Sequence, residues 1–510
     1  MLSPRLFAAA AFAVGHVVHA LAADISSTEP ANLNVVDALH GLGIVISENP
    51  NLTGFNKRSE IGCSAAVSPY CVFKPSKPEQ VSVVVLLSRL TQCPFAAKSG
   101  GHAAMAGASN SRDGITISFQ NMKSIALSAD KKIASIQPGN IWGDVYRELT
   151  KSDLNVIGGR IYDIGVGGLT TGGGISYFSN LHGWACDNVE SYDVVTATGA
   201  IIRASANQFP DLYWALRGGG NNFGLVVSFN LRTISLPGGK MWGGSRTYLQ
   251  DSFPALSEAY ANFIANAEKD PKAGLWHVYA YFNGTKLSLP TLYYAEPDGG
   301  EAEIFSEWNA IPAISDTTQN RIIADWAAEG AQGSPPGPRE IYSVISSKAD
   351  KGLVDAAQEI YFEEVLAVTD LPGILPTLVF QGITIPMLKH MQQNGGNALG
   401  LNVKDGPFYI ILLSIMWSNE EDDDKIYSFA STVMERINDE AKARGLENDY
   451  IYMNYAAQFQ DVVSGYGADN KAKLKSIAKK YDPKEVFQKL QPGYFKLDRA
   501  PVPGSKYFNW

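Results

Sequence analysis

A histidine closes the run Lys98-Ser99-Gly100-Gly101-His102, and a second glycine-rich stretch covers residues 158–174. Glycine lacks a Cβ, so backbone N–H groups in such loops can approach a bound pyrophosphate closely. An imidazole beside that cradle adds a nucleophilic nitrogen. The two loops therefore predict a tightly held, phosphate-bearing cofactor, with His102 placed to bond it. A nicotinamide fingerprint does not fit. Gly165-Val166-Gly167-Gly168-Leu169-Thr170 opens as GxGxx but ends in threonine, without a clean strand, turn and helix around it. A P-loop is also excluded, because no Gly-Lys-Ser/Thr triplet occurs.

The elements that must position these loops are short. Residues 81–90 carry a dense apolar run and read as a helix, and residues 94–98 read as a strand feeding the first loop. Residues 114–118 alternate apolar and polar as a half-buried strand does. Segments 125–127 and 133–136 flank Asp130-Lys131-Lys132, and segments 192–196 and 201–204 flank Thr198-Gly199; both read as hairpins. Residues 142–149 form an amphipathic helix, 210–216 a helix with Pro210 in its first turn, and 225–233 a strand. Pro237-Gly238-Gly239 punctuates the end of this unit. Beyond it the elements lengthen: a helix over 253–268, strands over 275–282, 380–385 and 409–417, and a helix over 470–481. In the segment Phe380-Gln381-Gly382-Ile383-Thr384-Ile385 the strand face that carries Gln381 could look onto a cofactor. Trp242, Trp276, Trp326 and Trp417 divide between core and pocket lining on no sequence signal.

Composition bounds the setting. At 510 residues, 45% hydrophobic and 18% charged, the chain can build more than one globular domain. A formal net charge of −9 without a dense Lys/Arg block excludes a nucleic-acid binder. The first residues read as an export leader. Arg5 precedes an apolar stretch over 6–21, and Ala20-Leu21-Ala22 is a small-x-small cleavage site, giving a leader of residues 1–22. Secretion or the secretory-pathway lumen follows, with no membrane span after leader removal. The sequons at Asn51 and Asn283 agree with that route. Four cysteines allow three full pairings. Cys71 with Cys93 is the preferred disulfide, which leaves Cys186 buried in an apolar stretch; no pair has CxxC spacing, so no metal site is expected.

Several ordered motifs converge on one family. They are Ser99-Gly100-Gly101-His102, Gly139-x-x-Trp142-Gly143-Asp144, Gly165-Val166-Gly167-Gly168, Trp184-Ala185-Cys186-Asp187-Asn188-Val189 and Trp214-Ala215-Leu216-Arg217-Gly218-Gly219-Gly220-Asn221-Asn222. With the tail Tyr452-Met453-Asn454-Tyr455 and Lys480-Tyr481-Asp482-Pro483, the chain resembles the berberine-bridge-enzyme-like FAD-linked oxidases. These belong to the vanillyl-alcohol-oxidase superfamily, with its p-cresol-methylhydroxylase-type FAD domain. The resemblance implies an α+β fold: a two-part FAD-binding domain over 67–237, after an N-terminal segment 23–66. An antiparallel-sheet-and-helix substrate domain would span 238–445, and a C-terminal berberine-bridge segment, 446–510, would return to the FAD domain.

The same resemblance implies that FAD is bonded to His102, with Ser99, Gly100 and Gly101 giving amides to its pyrophosphate. Gly167, Gly168, Gly172 and Gly173 would line a second face, Asp187 and Val189 would close over the cofactor, and Asn454 would hold the flavin or its segment. Ile161 stands where many relatives place a second, cysteine attachment, so attachment is expected at His102 alone. Ile164 occupies the position that tunes oxygen access in plant relatives. Tyr455 matches the family's base, with Tyr452 and Gln381 in the substrate pocket. A free tyrosine ionises near ~10 and is a poor base at neutral pH, so it needs a partner; no carboxylate partner is marked in the sequence. The implied function is an FAD-dependent oxidase. It would pass a hydride from a small organic substrate to flavin and then to molecular oxygen, in natural-product biosynthesis. An oligosaccharide oxidase forming lactones is the alternative among enzymes. A flavin-retaining binding protein or cyclase without redox turnover is the alternative of another class.

Overall fold

The computed structural model describes residues 46–48, 67–333, 335 and 337–508. The leader, the sequon at Asn51 and Cys63 lie outside the described residues. The first loop is launched by a four-stranded sheet ordered Ile46–Glu48, Cys71–Phe73, Ile115–Ser118, Phe95–Lys98. Its last three strands are parallel, which requires a crossover between Cys71–Phe73 and Phe95–Lys98. The helix Pro78–Thr91 supplies it. Pro78 suits the first turn, Val81, Val84 and Val85 face the core, and Gln92 in the left-handed conformation ends it.

The expected Cys71–Cys93 disulfide does not form, since Cys93 is a free thiol. The strand Ile115–Ser118 lies between Cys71 and the strand that Cys93 precedes. Two strand spacings, roughly 9.5 Å, exceed the Cα separation a disulfide spans. Cys186 is buried.

A second, antiparallel sheet is ordered Ile125–Leu127, Ile133–Ile136, Leu225–Ser235, Val189–Val195, Ile201–Ser205, with Leu154–Val156 paired on Leu225–Ser235. It carries the helix Trp142–Thr150, which buries Trp142, Val145, Tyr146 and Leu149. That helix seats the second glycine stretch: Trp142 N–H donates to Ile164 O (3.0 Å) and Gly143 N–H to Tyr162 O (2.9 Å). Part of the stretch is a short helix, Val166–Thr171, rather than loop throughout.

The third sheet has ten strands among the described residues and starts at Lys240. Four of its long members run side by side in the order Ala273–Phe282, Leu375–Ile383, Phe408–Trp417, Arg339–Lys348. Period-two alternation divides their side chains between two faces. Leu275, Tyr279, Leu378, Phe380, Leu413 and Trp417 form one core beneath the helices Phe253–Asn266, Lys351–Glu364 and Asp423–Ala443. Trp276, Val278, Val379, Gln381, Leu412 and Ser414 face the other way, into a cavity. The tail then leaves this sheet at Glu447–Asn448 and returns to the glycine-loop side. Asn222 donates to Phe495 O (3.0 Å), Tyr466 donates to Gly218 O (2.9 Å), and Phe487 joins the core of the first sheet. Among the described residues no helix is long and apolar enough to cross a membrane.

Candidate active site

A cavity of about 740 Å³ separates the two glycine loops from the open face of the third sheet. The loops meet backbone to backbone. A Cβ on Gly100 would stand 2.4 Å from Gly165 N, and one on Gly165 would stand 2.1 Å from Gly100 N. Ser99 joins them: its hydroxyl donates to Pro138 O (2.5 Å) and accepts from Gly167 N–H (3.0 Å). Beside this junction Gly168 has open space where a Cβ would stand.

His102 lines the same cavity. Its Nε2 lies 3.7 Å from Asp163 Oδ1, beyond hydrogen-bonding distance, and neither buried atom has a hydrogen-bond partner. Burial holds the imidazole below its ordinary pKa, against the opposing pull of Asp163. The ring is therefore neutral at neutral pH, with a nitrogen lone pair available for bonding.

Tyr455 occupies the cavity wall with Gln381 and Arg160. Arg160 Nη2 donates to the Tyr455 oxygen (2.7 Å) and to Gln381 Oε1 (2.7 Å), and Gln381 Nε2 donates to the same Tyr455 oxygen (3.0 Å). The three side chains close a ring of hydrogen bonds. Arg160 also lies over the Trp276 ring at 4.5 Å, and its carbonyl accepts from Tyr177. Tyr177 in turn stacks on Trp326 at 4.6 Å. The sequence marked Tyr455 and Gln381. Arg160, the cation that sits where a carboxylate was sought, was missed; its one signal is a lone charge between Gly159 and Ile161.

The fold brings Ser99, Gly100, Gly101, His102, Gly167, Gly168, Gln381, Tyr452, Asn454 and Tyr455 to this cavity. Four others do not line it. Gly172 and Gly173 instead make room for packing: a Cβ on Gly172 would meet Asn454 Oδ1 at 2.1 Å, and one on Gly173 would meet Trp184 at 2.7 Å. Asp187 is buried and accepts from Trp184 N–H (2.9 Å) and Asn397 Nδ2 (2.7 Å). Burial raises its pKa, and these donors oppose the rise. Val189 opens the strand Val189–Val195 inside the core. Tyr452 reaches the wall, but its hydroxyl accepts from Gly174 N–H (3.1 Å) and Asn454 Nδ2 (3.0 Å). Trp276 and Trp326 line the cavity, whereas Trp242 and Trp417 are core.

Comparison with known proteins adds to this geometry. A family model described as an FAD binding domain matches residues 69–205. The fold resembles that of berberine bridge enzyme from Eschscholzia californica, with a TM-score of 0.72 at 15% identity, covering 89% of this chain and 97% of that one. The FAD-dependent monooxygenase tpcD of Cochliobolus heterostrophus is 36% identical over 446 residues, 85% of this chain and 86% of that protein. The chain belongs to the berberine-bridge-enzyme-like FAD-linked oxidoreductases. This FAD-linked oxidoreductase is also 31% identical over 467 residues to the bifunctional solanapyrone synthase of Alternaria solani, covering 91% and 88% of the two chains.

The residues present fit FAD. The cavity lies within the range of ligand pockets, roughly 300–1,000 Å³. Its walls hold an amide-rich junction at one side, the orphaned His102 Nε2, and open space at Gly168.

Proposed function

We propose that this FAD-linked oxidoreductase oxidises a small organic molecule in natural-product biosynthesis, with FAD bonded to His102 alone. When bound, FAD supplies the hydride acceptor. Gly100, Gly101 and Gly168 would hold its pyrophosphate. Ile161 lines the wall, and among the described residues no cysteine does, which supports a single attachment. Molecular oxygen is the proposed final acceptor, with Ile164 on its approach.

The observation that carries the reading is the donor pair on Tyr455. A base must take the proton of the substrate's hydroxyl as the adjacent C–H bond breaks. The Tyr455 oxygen faces a guanidinium and an amide N–H, and both favour negative charge on it. Charge-assisted donors of this kind are worth about 1.5–3 kcal/mol each. Gln381 fixes the Arg160 head, and Trp276 covers its face, so the cation is oriented before substrate enters.

The test is anaerobic mixing of the purified protein with benzylic and allylic alcohols and phenols, following loss of the flavin's visible band. Tyr455→Phe should slow bleaching by about 10²–10⁴-fold while retaining the flavin. An unchanged rate would remove Tyr455 from the chemistry. Failure of every donor to bleach the wild type would favour a binding protein or cyclase instead. We also infer export. Asn283 sits exposed in the turn between Ala273–Phe282 and Thr285–Ser288, where a glycan would meet no packing. A mature N-terminus near Asp24, with a mass shift on deglycosylation, is the expected result for protein from a eukaryotic secretory host.

A further inference from the structure

His102 has a charged neighbour to which the proposed reaction gives no part. Its Nε2 faces Asp163 Oδ1 at 3.7 Å, and both atoms lack accessible surface. His102 lines the cavity, whereas Asp163 does not. The carboxylate therefore stands behind the ring, with 38% of its side chain exposed away from the cavity. The imidazole side chain is 15% exposed. It meets the cavity through its other edge, and Nδ1 is the nitrogen left for a cofactor.

The backbone on both sides of Asp163 is held. Gly143 N–H donates to Tyr162 O (2.9 Å) and Trp142 N–H donates to Ile164 O (3.0 Å). A Cβ on Gly100 would stand 3.1 Å from Asp163 O, so the contact of the two loops sets this carboxylate against the imidazole. Burial keeps the ring neutral; Asp163 opposes it and is, among the described residues, the one charge acting on the ring. The gap exceeds a hydrogen bond by about 0.5–1 Å, which a small tilt of the ring closes. We propose that Asp163 is the positioning residue for cofactor attachment. It holds the proton of the neutral imidazole on Nε2, which leaves the Nδ1 lone pair for the flavin, and it receives that proton as the bond forms. The assignment rests on the reading of FAD bonded to His102 above. In balance, a C–N bond forms between Nδ1 and the flavin's 8α-methyl carbon, while one C–H bond of that methyl and the Nε2–H bond break. The electron pair of the C–H bond and one proton pass to the flavin, and Asp163 takes the other proton. Molecular oxygen then restores the oxidised flavin and leaves as hydrogen peroxide.

The test separates flavin binding from flavin attachment. Absorbance of the purified protein gives flavin per chain, and acid precipitation gives the share that stays on the polypeptide. Wild type should keep nearly all of its flavin in acid. Asp163→Asn, which preserves the shape and removes the charge, should still bind about one FAD per chain. Less than about a tenth of that should survive acid, as expected when a proton acceptor worth about 10²-fold is lost. Asp163→Ala opens a space that the solvent side reaches. Incubation of that variant with FAD and formate should raise its acid-stable flavin over hours, and chloride at equal ionic strength should not. Full attachment in Asp163→Asn, or equal effects of formate and chloride, overturns the role. Loss of bound flavin from both variants would show a merely structural part and overturns it too. Wild type that releases its flavin to acid contradicts attachment at His102 itself, whereas a fully attached Asp163→Asn contradicts this assignment alone.

Discussion

The proposed chemistry concentrates at the oxygen of Tyr455, where two donors converge from segments far apart in the chain. Arg160→Leu should slow flavin reduction by about 10²-fold or more, within the range for a proton-transfer group. Arg160→Lys should recover part of the rate, since an ammonium restores the charge but not the two-way fork to Gln381 and Tyr455. Stopped-flow reduction of both variants measures this; equal rates for Leu and Lys would show that the charge is irrelevant. His102, Tyr455 and Gln381 were legible because each sits in a recognisable motif or pattern. Arg160 was not. Its meaning depends on Gln381 and Tyr455 folding over it, and no local period signals a contact across so many residues. Asp187 misled for the opposite reason: it belongs to a motif, yet its carboxylate is used internally by Trp184 and Asn397.

The two glycine loops act as one element once they touch. Gly100→Ala or Gly165→Ala would push a Cβ into the facing backbone. Each should lower stability by about 1–3 kcal/mol and reduce flavin content in the purified protein. Gly168→Ala, with open space at its Cβ position, should disturb no protein packing, so its expected effect is a lower flavin content without the loop destabilisation of the other two. A melting series with flavin absorbance ratios checks all three, and a stable, fully loaded Gly100→Ala would disprove the close approach. Helix Pro78–Thr91 and the hairpin strands Ile125–Leu127 and Ile133–Ile136 were readable from apolar spacing and turn residues. The cavity face of the third sheet was not. Val379, Leu412 and Met416 line the cavity while Leu378, Phe380 and Leu413 fill the core, so both faces of these strands are apolar and hydropathy does not tell them apart. The crossed-out disulfide has a similar origin: linear spacing of Cys71 and Cys93 says nothing of the strand between them.

At the scale of the molecule, three sheets and a returning tail enclose one cavity, and its buried charge makes stability depend on pH. Burial raises the Glu340 pKa to about 7 from an ordinary 4.5, with Tyr342 opposing the shift. The folded state thus holds this proton more tightly than the unfolded chain. No penalty exists below the ordinary pKa. It grows as pH rises from about 4.5 to about 7 and is constant above that. Its upper limit is about 3 kcal/mol. Glu340→Gln should therefore raise the melting temperature above neutrality and leave it nearly unchanged in acid; an equal gain at both ends would show that the carboxyl is not the cause. The central claim, FAD bonded to a neutral His102 in the wall of this cavity, has a more direct test. Proteolysis of the yellow protein and mass measurement of its flavin-bearing peptide should give one peptide, containing His102 and carrying one FAD-derived mass. Release of all flavin on acid precipitation, or a flavin peptide that lacks His102, would contradict it.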